Sequence, residues 1–167
     1  MLTVNHGTPA FLLLALAGFL GISLRVSYHV FYQTAFLHLK ETYLLNRLTE
    51  EIREEDLRGD PRALALQRVF GILYGWQDRV MLRIDRWSRG GENMSVEQRQ
   101  AWYSDPVALR LSGLLGMGTE LFLLTLCSLA GRLDVYLWMN LLMMNCVWGT
   151  TTMYRRVVLR PRVFLIR

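Results

Sequence analysis

Charged side chains are nearly missing from one long stretch of this chain, residues 107–154, whereas residues 40–105 carry many charges of both signs. The few charged residues in the apolar stretch are Arg110, Glu120, Arg132 and Asp134. Soluble domains spread charge over their whole surface and rarely leave so long a run without it. The segregation therefore argues against a soluble globule and indicates a membrane protein with a solvated insert.

Cysteine is also scarce, with two in a chain of 167 residues. The sequence contains no Cys-x-x-Cys pair and no Cys/His spacing typical of a metal site. Cys127 and Cys146 fall one in each arm of the apolar stretch, where a cysteine usually behaves as a small hydrophobic residue. We therefore predict free thiols in preference to a disulfide, and the sequence identifies no metal ligand, no catalytic residue and no cofactor.

No Lys or Arg precedes Arg25, and no small-residue cleavage site follows the apolar run of residues 10–24. A cleaved secretory signal needs both features, so we expect an uncleaved anchor. The helical pattern continues to Leu39, which predicts one helix of about 30 residues whose second half lies near the membrane interface. Gly18 and Gly21 are predicted to let a neighbouring helix approach closely.

Two apolar segments of roughly bilayer length make up residues 107–154. The short sequence Gly131-Arg132-Leu133-Asp134 separates them, so the stretch is predicted to form a transmembrane hairpin. The first arm has glycines just before its carboxylate Glu120, at Gly113, Gly116 and Gly118. Because glycines thin a helix, we predict that another helix or a lipid headgroup approaches there.

Positive charge predicts the orientation. Basic residues follow the first span at Lys40 and the last span at Arg155, whereas Arg132 in the hairpin turn is offset by Asp134. The positive-inside rule then places the amino terminus and the hairpin turn outside. The insert and the carboxyl terminus lie on the cytoplasmic side of the inner (cytoplasmic) membrane.

The predicted fold class is therefore all-α: an integral membrane protein with three transmembrane helices and a cytoplasmic helical insert between the first and the second. Four regions follow from this. They are an amino-terminal transmembrane helix with an interfacial extension (residues 1–39), an amphipathic helical insert (40–106), the transmembrane hairpin (107–154) and a basic cytoplasmic tail (155–167).

The insert contains an apolar stripe at helical spacing between residues 62 and 89. Its members are Val69, Leu73, Trp76, Val80, Ile84 and Trp87. This helix could lie on the membrane surface or pack against residues 40–57 as a cytosolic hairpin, and the sequence leaves both open. Asp78 and Asp85 each adjoin an arginine, which predicts ordinary surface pairs. Residues 95–98 form a capping box that predicts a short helix.

Five polar residues are predicted to lie within the membrane. An intramembrane carboxylate is costly unless it is neutral or paired, so Glu120 could carry protons, contact a headgroup, pair with Arg25 or bond to Asn140 or Asn145. Both asparagines are also predicted to hold spans together through interhelical hydrogen bonds. Arg25 could instead reach headgroup phosphate. His29, on the same helix face, could ligate haem only with a second axial histidine.

The net charge of +5 comes mainly from the carboxyl-terminal arginines. Because they border an apolar span, anionic lipid headgroups are a better partner for them than nucleic acid. The predicted headgroup contacts are Arg155, Arg156, Arg160 and Arg162. Pro161 argues against a long regular helix there. Besides the bilayer, we expect a partner membrane protein or a second copy of the chain.

Two sequences, FGILYGWQDRVMLRIDRWS and YSDPVALRLSGLLGMGTELFLL, precede a Trp- and Asn-rich span that ends in Arg155-Arg156. Together they resemble the carboxyl-terminal half of some bacterial CDP-alcohol phosphotransferases. The resemblance covers residues 62–156. It implies a polytopic membrane enzyme, typically of six spans, that joins a CDP-linked lipid or alcohol to a second alcohol with divalent metal.

The metal-binding signature of that family, D-x2-D-G-x2-A-R-x8/9-G-x3-D-x3-D, does not occur here, because the chain contains no Asp-Gly pair. No catalytic residue carries over. The resemblance then implies a fragment, one half of a split enzyme or a non-catalytic relative, which would contribute a membrane scaffold and a lipid-facing cavity.

Three functions remain open from the sequence. The chain could be a small polytopic inner-membrane protein of phospholipid metabolism, as an incomplete or non-catalytic relative of these enzymes. It could be a non-enzymatic subunit or assembly factor of a larger membrane complex. It could also be a subunit of an oligomeric transporter, with a pathway lined by Glu120, Asn140 and Asn145.

Overall fold

A computed structural model describes residues 9–40 and 61–165. In chain order the helices are α1 (Pro9–Leu39), α2 (Pro61–Arg89), α3 (Val96–Ser104), α4 (Pro106–Gly113), α5 (Met117–Leu129), α6 (Leu133–Trp138), α7 (Met144–Tyr154) and α8 (Arg160–Phe164). Two π-helical turns, π1 (Met139–Met143) and π2 (Arg155–Leu159), join α6 to α7 and α7 to α8. No strand occurs in the described ranges, which confirms the all-α class.

Two segments are long and apolar enough to cross a membrane, Leu12–Leu39 in α1 and Pro106–Leu129, which joins α4 and α5. The second is not one continuous helix, because α4 ends at Gly113 and α5 starts after Gly116. The glycine-rich stretch is therefore a turn rather than a thinned helix. The third predicted span is helical, and its crossing of a membrane stays a prediction.

α2 packs lengthwise against α1 and runs in the same direction. The contacts advance in step along both helices, from the Ser27–Gln77 hydrogen bond of 2.5 Å to the Tyr32–Asp85 hydrogen bond of 3.1 Å. α2 also packs against α7 and π2. The described part of the predicted insert therefore belongs to the same bundle as α1. Its packing against residues 41–57 lies outside the described residues.

The buried face of α2 differs from the predicted apolar stripe. It consists of Gln77, Met81, Asp85 and Ser88. From the stripe, Val80 and Ile84 reach the edge of the core, whereas Val69 and Leu73 are exposed. Polar residues occupy the inner face because neighbouring helices supply hydrogen-bonding partners for them, as for Gln77 and Asp85.

The two arms of the hairpin pass α1 in opposite directions. The first arm is antiparallel to α1, because Arg25 contacts Glu120 and His29 lies beside Gly116. The second arm is parallel, and its contacts follow the order Gly18 with Asn140, Gly21 with Asn145, Tyr28 with Trp148 and Tyr32 with Arg155. α1 is thus the central helix, with α2 and both arms around it.

Two apolar clusters fill this bundle. The larger one contains Tyr28, Phe31, Tyr32, Met81, Leu115 and Met144. The smaller one contains Trp102, Ala108, Leu159 and Val163. Leu159 and Val163 belong to the predicted basic tail, which is therefore not a free tail but a helical end packed against α3. Pro161 lies in the first turn of α8, directly after the π2 turn, where the helix accommodates a residue without a backbone N–H.

The predicted capping box is confirmed at the start of α3. The Ser95 hydroxyl accepts from the Gln98 amide at 3.2 Å, and the Gln98 side chain accepts from the Ser95 amide at 3.0 Å. Asp105 then caps α4 by accepting from the Ala108 amide at 2.7 Å. These two caps position α3 between the end of α2 and the start of the hairpin.

Candidate functional site

An arginine and a carboxylate meet in the interior of the bundle. Arg25 is 0% exposed and Glu120 is 2% exposed. The Arg25 Nη2 and Nε atoms lie 2.5 Å and 3.1 Å from Glu120 Oε1. Charge-assisted hydrogen bonds of this kind are about twice as strong as neutral ones. Because an unpaired charge is very costly in apolar surroundings, each of the two residues makes the burial of the other possible.

Two asparagines of the second arm complete this network. Asn140 Nδ2 donates to Glu120 Oε2 at 3.2 Å and to the Tyr136 hydroxyl at 3.3 Å. Arg25 Nη1 donates to Asn145 Oδ1 at 2.8 Å and to the backbone carbonyl of Asn140 at 3.1 Å. The structure thus brings four of the five predicted intramembrane residues together, and their contacts tie α1 to both arms of the hairpin.

The π1 turn explains how a backbone carbonyl becomes available to Arg25. In a regular α-helix the Met144 amide would donate to the carbonyl of Asn140, four residues earlier. Here it donates to Met139, five residues earlier. The Asn140 carbonyl is released from that bond and accepts from the guanidinium instead. π-helical turns often occur at functional sites, and no residue pattern in this sequence indicates one.

Three of the predicted packing glycines lie against neighbouring helices. A Cβ added at Gly21 would stand 3.7 Å from the side-chain amide of Asn145 on the second arm and 2.9 Å from Arg25 Nη1 of its own helix. One at Gly18 would stand 3.7 Å from Asn140 Oδ1. At Gly116 it would stand 3.1 Å from the His29 ring. Gly113 and Gly118 have no such neighbour within 4 Å among the described residues. They lie on the outer face, which is at odds with a packing role.

His29 is not part of the network. It lies one helical turn from Arg25, and its Nδ1 atom is buried without a hydrogen-bond partner among the described residues. The other described histidine, His38, is nine residues further along α1. Two histidines at that spacing do not converge on one haem iron, so the described part of the chain offers no pair of axial ligands.

A second buried charge lies toward the carboxyl end of α1, and the sequence did not predict its burial. Asp85 is 1% exposed and accepts four hydrogen bonds. The donors to Oδ1 are the Trp102 indole at 2.9 Å and the Tyr32 hydroxyl at 3.1 Å. The donors to Oδ2 are Arg89 at 2.9 Å and the Tyr103 hydroxyl at 3.1 Å. The prediction of an ordinary surface pair for Asp85 is therefore wrong.

Burial raises the pKa of the Tyr103 phenol above its usual value of 10.0, and the Asp85 carboxylate beside it raises that pKa further. The phenol thus keeps its proton and its hydrogen bond in alkaline solution. One sequence signal could have pointed to this cluster. Trp102 and Tyr103 are aromatic residues with polar tips, and such tips require an acceptor when they are buried.

Arg155 lies inside the bundle beside this cluster. It is 0% exposed, its guanidinium carbon is 3.5 Å from the centre of the Tyr32 ring, and its Nη1 donates to the Trp102 carbonyl at 3.1 Å. This position is at odds with the predicted headgroup contact. The helix continues beyond Tyr154 into π2, and the Arg155 side chain faces the interior of the bundle.

The remaining tail arginines lie nearer the surface. The Arg156 guanidinium stacks 3.8 Å from the Trp87 ring centre, and Arg160 Nη2 pairs with Glu92 Oε1 at 2.5 Å. Arg162 is exposed. Their contact with lipid headgroups stays a prediction.

Neither cysteine forms a disulfide: Cys127 is buried and Cys146 is exposed. Within residues 9–40 and 61–165, no group of three or more His, Cys, Asp or Glu side chains could hold a metal ion. The carboxylate of Glu120 is engaged at both oxygens. The arrangement is therefore suited to holding helices together.

Comparison of the chain with protein-family models, curated proteins and solved structures gives no match. The resemblance to CDP-alcohol phosphotransferases stays a prediction. What the structure defines is a class: a helical protein with two apolar helices that could span a membrane.

Proposed function

We propose that this protein is a non-enzymatic subunit or assembly factor of a membrane complex. One observation carries the proposal: Arg25, Glu120, Asn140 and Asn145 bond to one another within a single chain. A carboxylate held in this way stabilises the packing of helices, and that use favours a structural role over proton transfer or a pathway between copies. In this proposal the network holds the helices of the bundle together, and the outer surfaces of the bundle contact lipid and a partner protein.

The exposed apolar residues support a membrane band around one half of the bundle. They include Leu12, Leu16 and Phe19 on α1, Leu66, Phe70 and Ile72 on α2, Leu121, Phe122 and Leu126 on α5, and Trp138 and Leu142 on the second arm. Phe19 and Phe70 line the same groove, so the exposed apolar residues of α1 and those of α2 lie at the same height along the bundle. The first half of α2 then lies in the apolar layer, and the arginines of its second half lie at the cytoplasmic headgroups.

Two positions matched in exposure test this membrane placement. Ile72 is 79% exposed and Val96 is 77% exposed. In a variant without native cysteines, we expect Val96→Cys to react with a membrane-impermeant maleimide in inside-out vesicles, and Ile72→Cys to react only after detergent is added. Equal labelling of both in intact vesicles would place α2 outside the membrane and contradict the arrangement.

The subunit role is tested by isolating the tagged chain at its natural expression level in mild detergent. We expect a defined second membrane protein at fixed stoichiometry, and we expect it to be lost in Glu120→Leu but retained in Asp134→Asn. A chain that is isolated alone and turns over a CDP-linked lipid would overturn the proposal.

A second candidate, a non-catalytic role in phospholipid metabolism, is favoured by one surface feature. Between α2 and π2, three arginines border a cleft that adjoins an apolar groove. A preference of the purified chain for anionic over zwitterionic phospholipid tests this candidate.

A further inference from the structure

An arginine-lined cleft opens between the end of α2 and the π2 turn. It has a volume of about 410 Å³ and is lined by Arg83, Arg86, Arg156, Trp87 and Gly90–Gly91. The two glycines have positive φ angles of 76° and 81°. They end α2 in a tight turn, and the Arg160 guanidinium lies so close to Gly90 that a Cβ there would collide with it.

The cleft continues into an apolar groove between α2 and α7. The groove has a volume of about 460 Å³ and is lined by Ile84, Trp148, Gly149, Thr152 and Met153. The cleft and the groove share Arg83 and Trp87. Because α7 leads directly into π2, a molecule that fills both would have its apolar part along α7 and its charged part at Arg156.

The cleft carries positive charge that no described residue neutralises by an ion pair. Neither Arg83 nor Arg86 has an ion pair in the described part of the chain. Arg156 stacks on Trp87 and donates only one hydrogen bond, of 3.3 Å, to the Trp87 carbonyl. The acidic residues that flank this region are already engaged, Asp85 with Arg89 and Glu92 with Arg160.

We propose that the cleft and the groove together bind one anionic phospholipid. Its phosphate lies among Arg83, Arg86 and Arg156, and one acyl chain lies along Trp148, Gly149 and Met153. Guanidinium groups match phosphate oxygens in geometry and charge. A long apolar groove beside a cluster of cations suits an amphipathic anion and not a free phosphate or a nucleic acid. This inference holds whichever candidate function is correct, and its failure leaves the subunit proposal standing.

The headgroup part is tested on the purified full-length chain in non-ionic detergent. Bound phosphatidylglycerol and phosphatidylcholine with identical acyl chains are counted by native mass spectrometry. We expect a clear preference for phosphatidylglycerol at one site per chain. The variant Arg83→Gln/Arg86→Gln removes two unpaired cations, and we expect it to lower the affinity at least about tenfold. The control Arg99→Gln/Arg110→Gln removes the same charge from exposed positions outside the cleft and should change little.

The acyl-chain part is tested with two glycines that have open space beside them. Gly149 lines the groove and Gly118 does not, and a Cβ meets no described atom within 4 Å at either. Gly149→Leu should fill the groove and weaken phosphatidylglycerol binding several-fold, whereas Gly118→Leu should not. Soluble glycerol phosphate should not compete.

Three results would overturn the proposal. The first is an equal loss of affinity in the cleft variant and its charge-matched control, which would indicate general surface attraction. The second is full binding by Gly149→Leu. The third is effective competition by glycerol phosphate, which would indicate a site for soluble anions.

Discussion

Two buried charge clusters lie about two helical turns apart along α1, and they are built differently. At Arg25 the opposite charges touch directly, and asparagine amides occupy the remaining positions. Near Tyr32, the Asp85 carboxylate and the Arg155 guanidinium are both buried. Asp85 accepts a hydrogen bond from the Tyr32 hydroxyl, whereas Arg155 lies over the Tyr32 ring. At Asp85 the ion pair with Arg89 is partly exposed, and aromatic side chains donate the other three hydrogen bonds.

The surroundings account for this difference. Around Arg25 the outer surface of the bundle is apolar, with exposed Leu121 and Phe122 following Glu120 on α5. A charge there has no access to water, so it needs a full counter-charge. Around Asp85 the outer surface carries arginines, and Arg89 itself is partly exposed. A carboxylate with three neutral donors and one partly exposed ion pair is sufficient in such a place.

Removing the counter-charge at the first cluster should have the largest effect. Glu120→Leu leaves Arg25 buried and unpaired, so we expect the free energy of unfolding to fall by about 3–5 kcal/mol. Glu120→Gln keeps an acceptor for Arg25 but loses the one for Asn140 Nδ2, so its free energy of unfolding should lie between those of Glu120→Leu and the unmodified chain. Denaturant titration in micelles, followed by circular dichroism, measures both.

Two further variants sharpen this measurement. In the double variant Arg25→Leu/Glu120→Leu no charge is stranded, so much of the stability should return. The Arg132–Asp134 pair is mostly exposed, with 63% and 60% of the side chains accessible. Asp134→Asn should therefore be indistinguishable from the unmodified chain. If the Glu120→Leu protein is as stable as the Asp134→Asn control, the network does not hold the helices together.

At the second cluster, Asp85→Ala leaves the buried donors of Tyr32, Trp102 and Tyr103 without their acceptor. We expect a loss of about 2–4 kcal/mol in the same titration. The loss should be smaller than for Glu120→Leu, since Arg89 can turn outward to water. Arg89→Gln, which removes only the partly exposed donor, should cost at most about 1 kcal/mol. If Asp85→Ala and Arg89→Gln lose equal stability, the hydrogen bonds from the aromatic side chains to Asp85 do not stabilise the fold.

Two glycines on α1 should respond with opposite signs. In Gly21→Ala the new methyl group must displace the Arg25 guanidinium from Asn145, so we expect a loss of about 1–2 kcal/mol. In Gly18→Ala the nearest atom is 3.7 Å away, an ordinary contact. Alanine there should stabilise the helix by up to about 1 kcal/mol. Thermal unfolding of both variants decides, and a shift of the same sign in both would contradict the tight fit at Gly21.

The smallest predicted effect is on pH dependence at the second cluster. The unfolded chain releases the Tyr103 proton near pH 10.0, whereas the folded chain keeps it to higher pH. Stability from this group is therefore complete below pH 10.0 and falls progressively as the pH rises from there to the raised pKa of the folded chain. From about pH 9 to about pH 11, the unfolding midpoint should fall more for the unmodified chain than for Tyr103→Phe. Parallel slopes would indicate that Tyr103 is not buried against Asp85.

The sequence predicted the residues of the first cluster better than those of the second. Glu120 stood out because a carboxylate is rare in an apolar run, and Arg25 and the asparagines were the available partners. Asp85 lies among arginines in a charged segment, where a surface pair is the ordinary expectation. Its donors Tyr32 and Trp102 come from distant parts of the chain, and helical periodicity carries no information about them.

The position of α2 was unpredictable for a related reason. Hydrophobic periodicity finds the face with most apolar residues, but Gln77 and Asp85 can be buried when partners exist. That condition depends on the tertiary structure and not on the spacing within α2. For Arg155, no residue pattern indicates that the helix continues beyond Tyr154 with this side chain inside the bundle.

The two π-helical turns also set the rotational phase of everything that follows them. Each holds one more residue than the same turn of an α-helix, and one residue corresponds to about 100° of rotation. Between π1 and π2 this phase aims Met144 and Thr151 into the bundle. Deleting a single residue from 139–143 would rotate the helix that follows, from α7 to α8, by that angle. Arg155 would then no longer contact Tyr32, although the composition of the helix had barely changed.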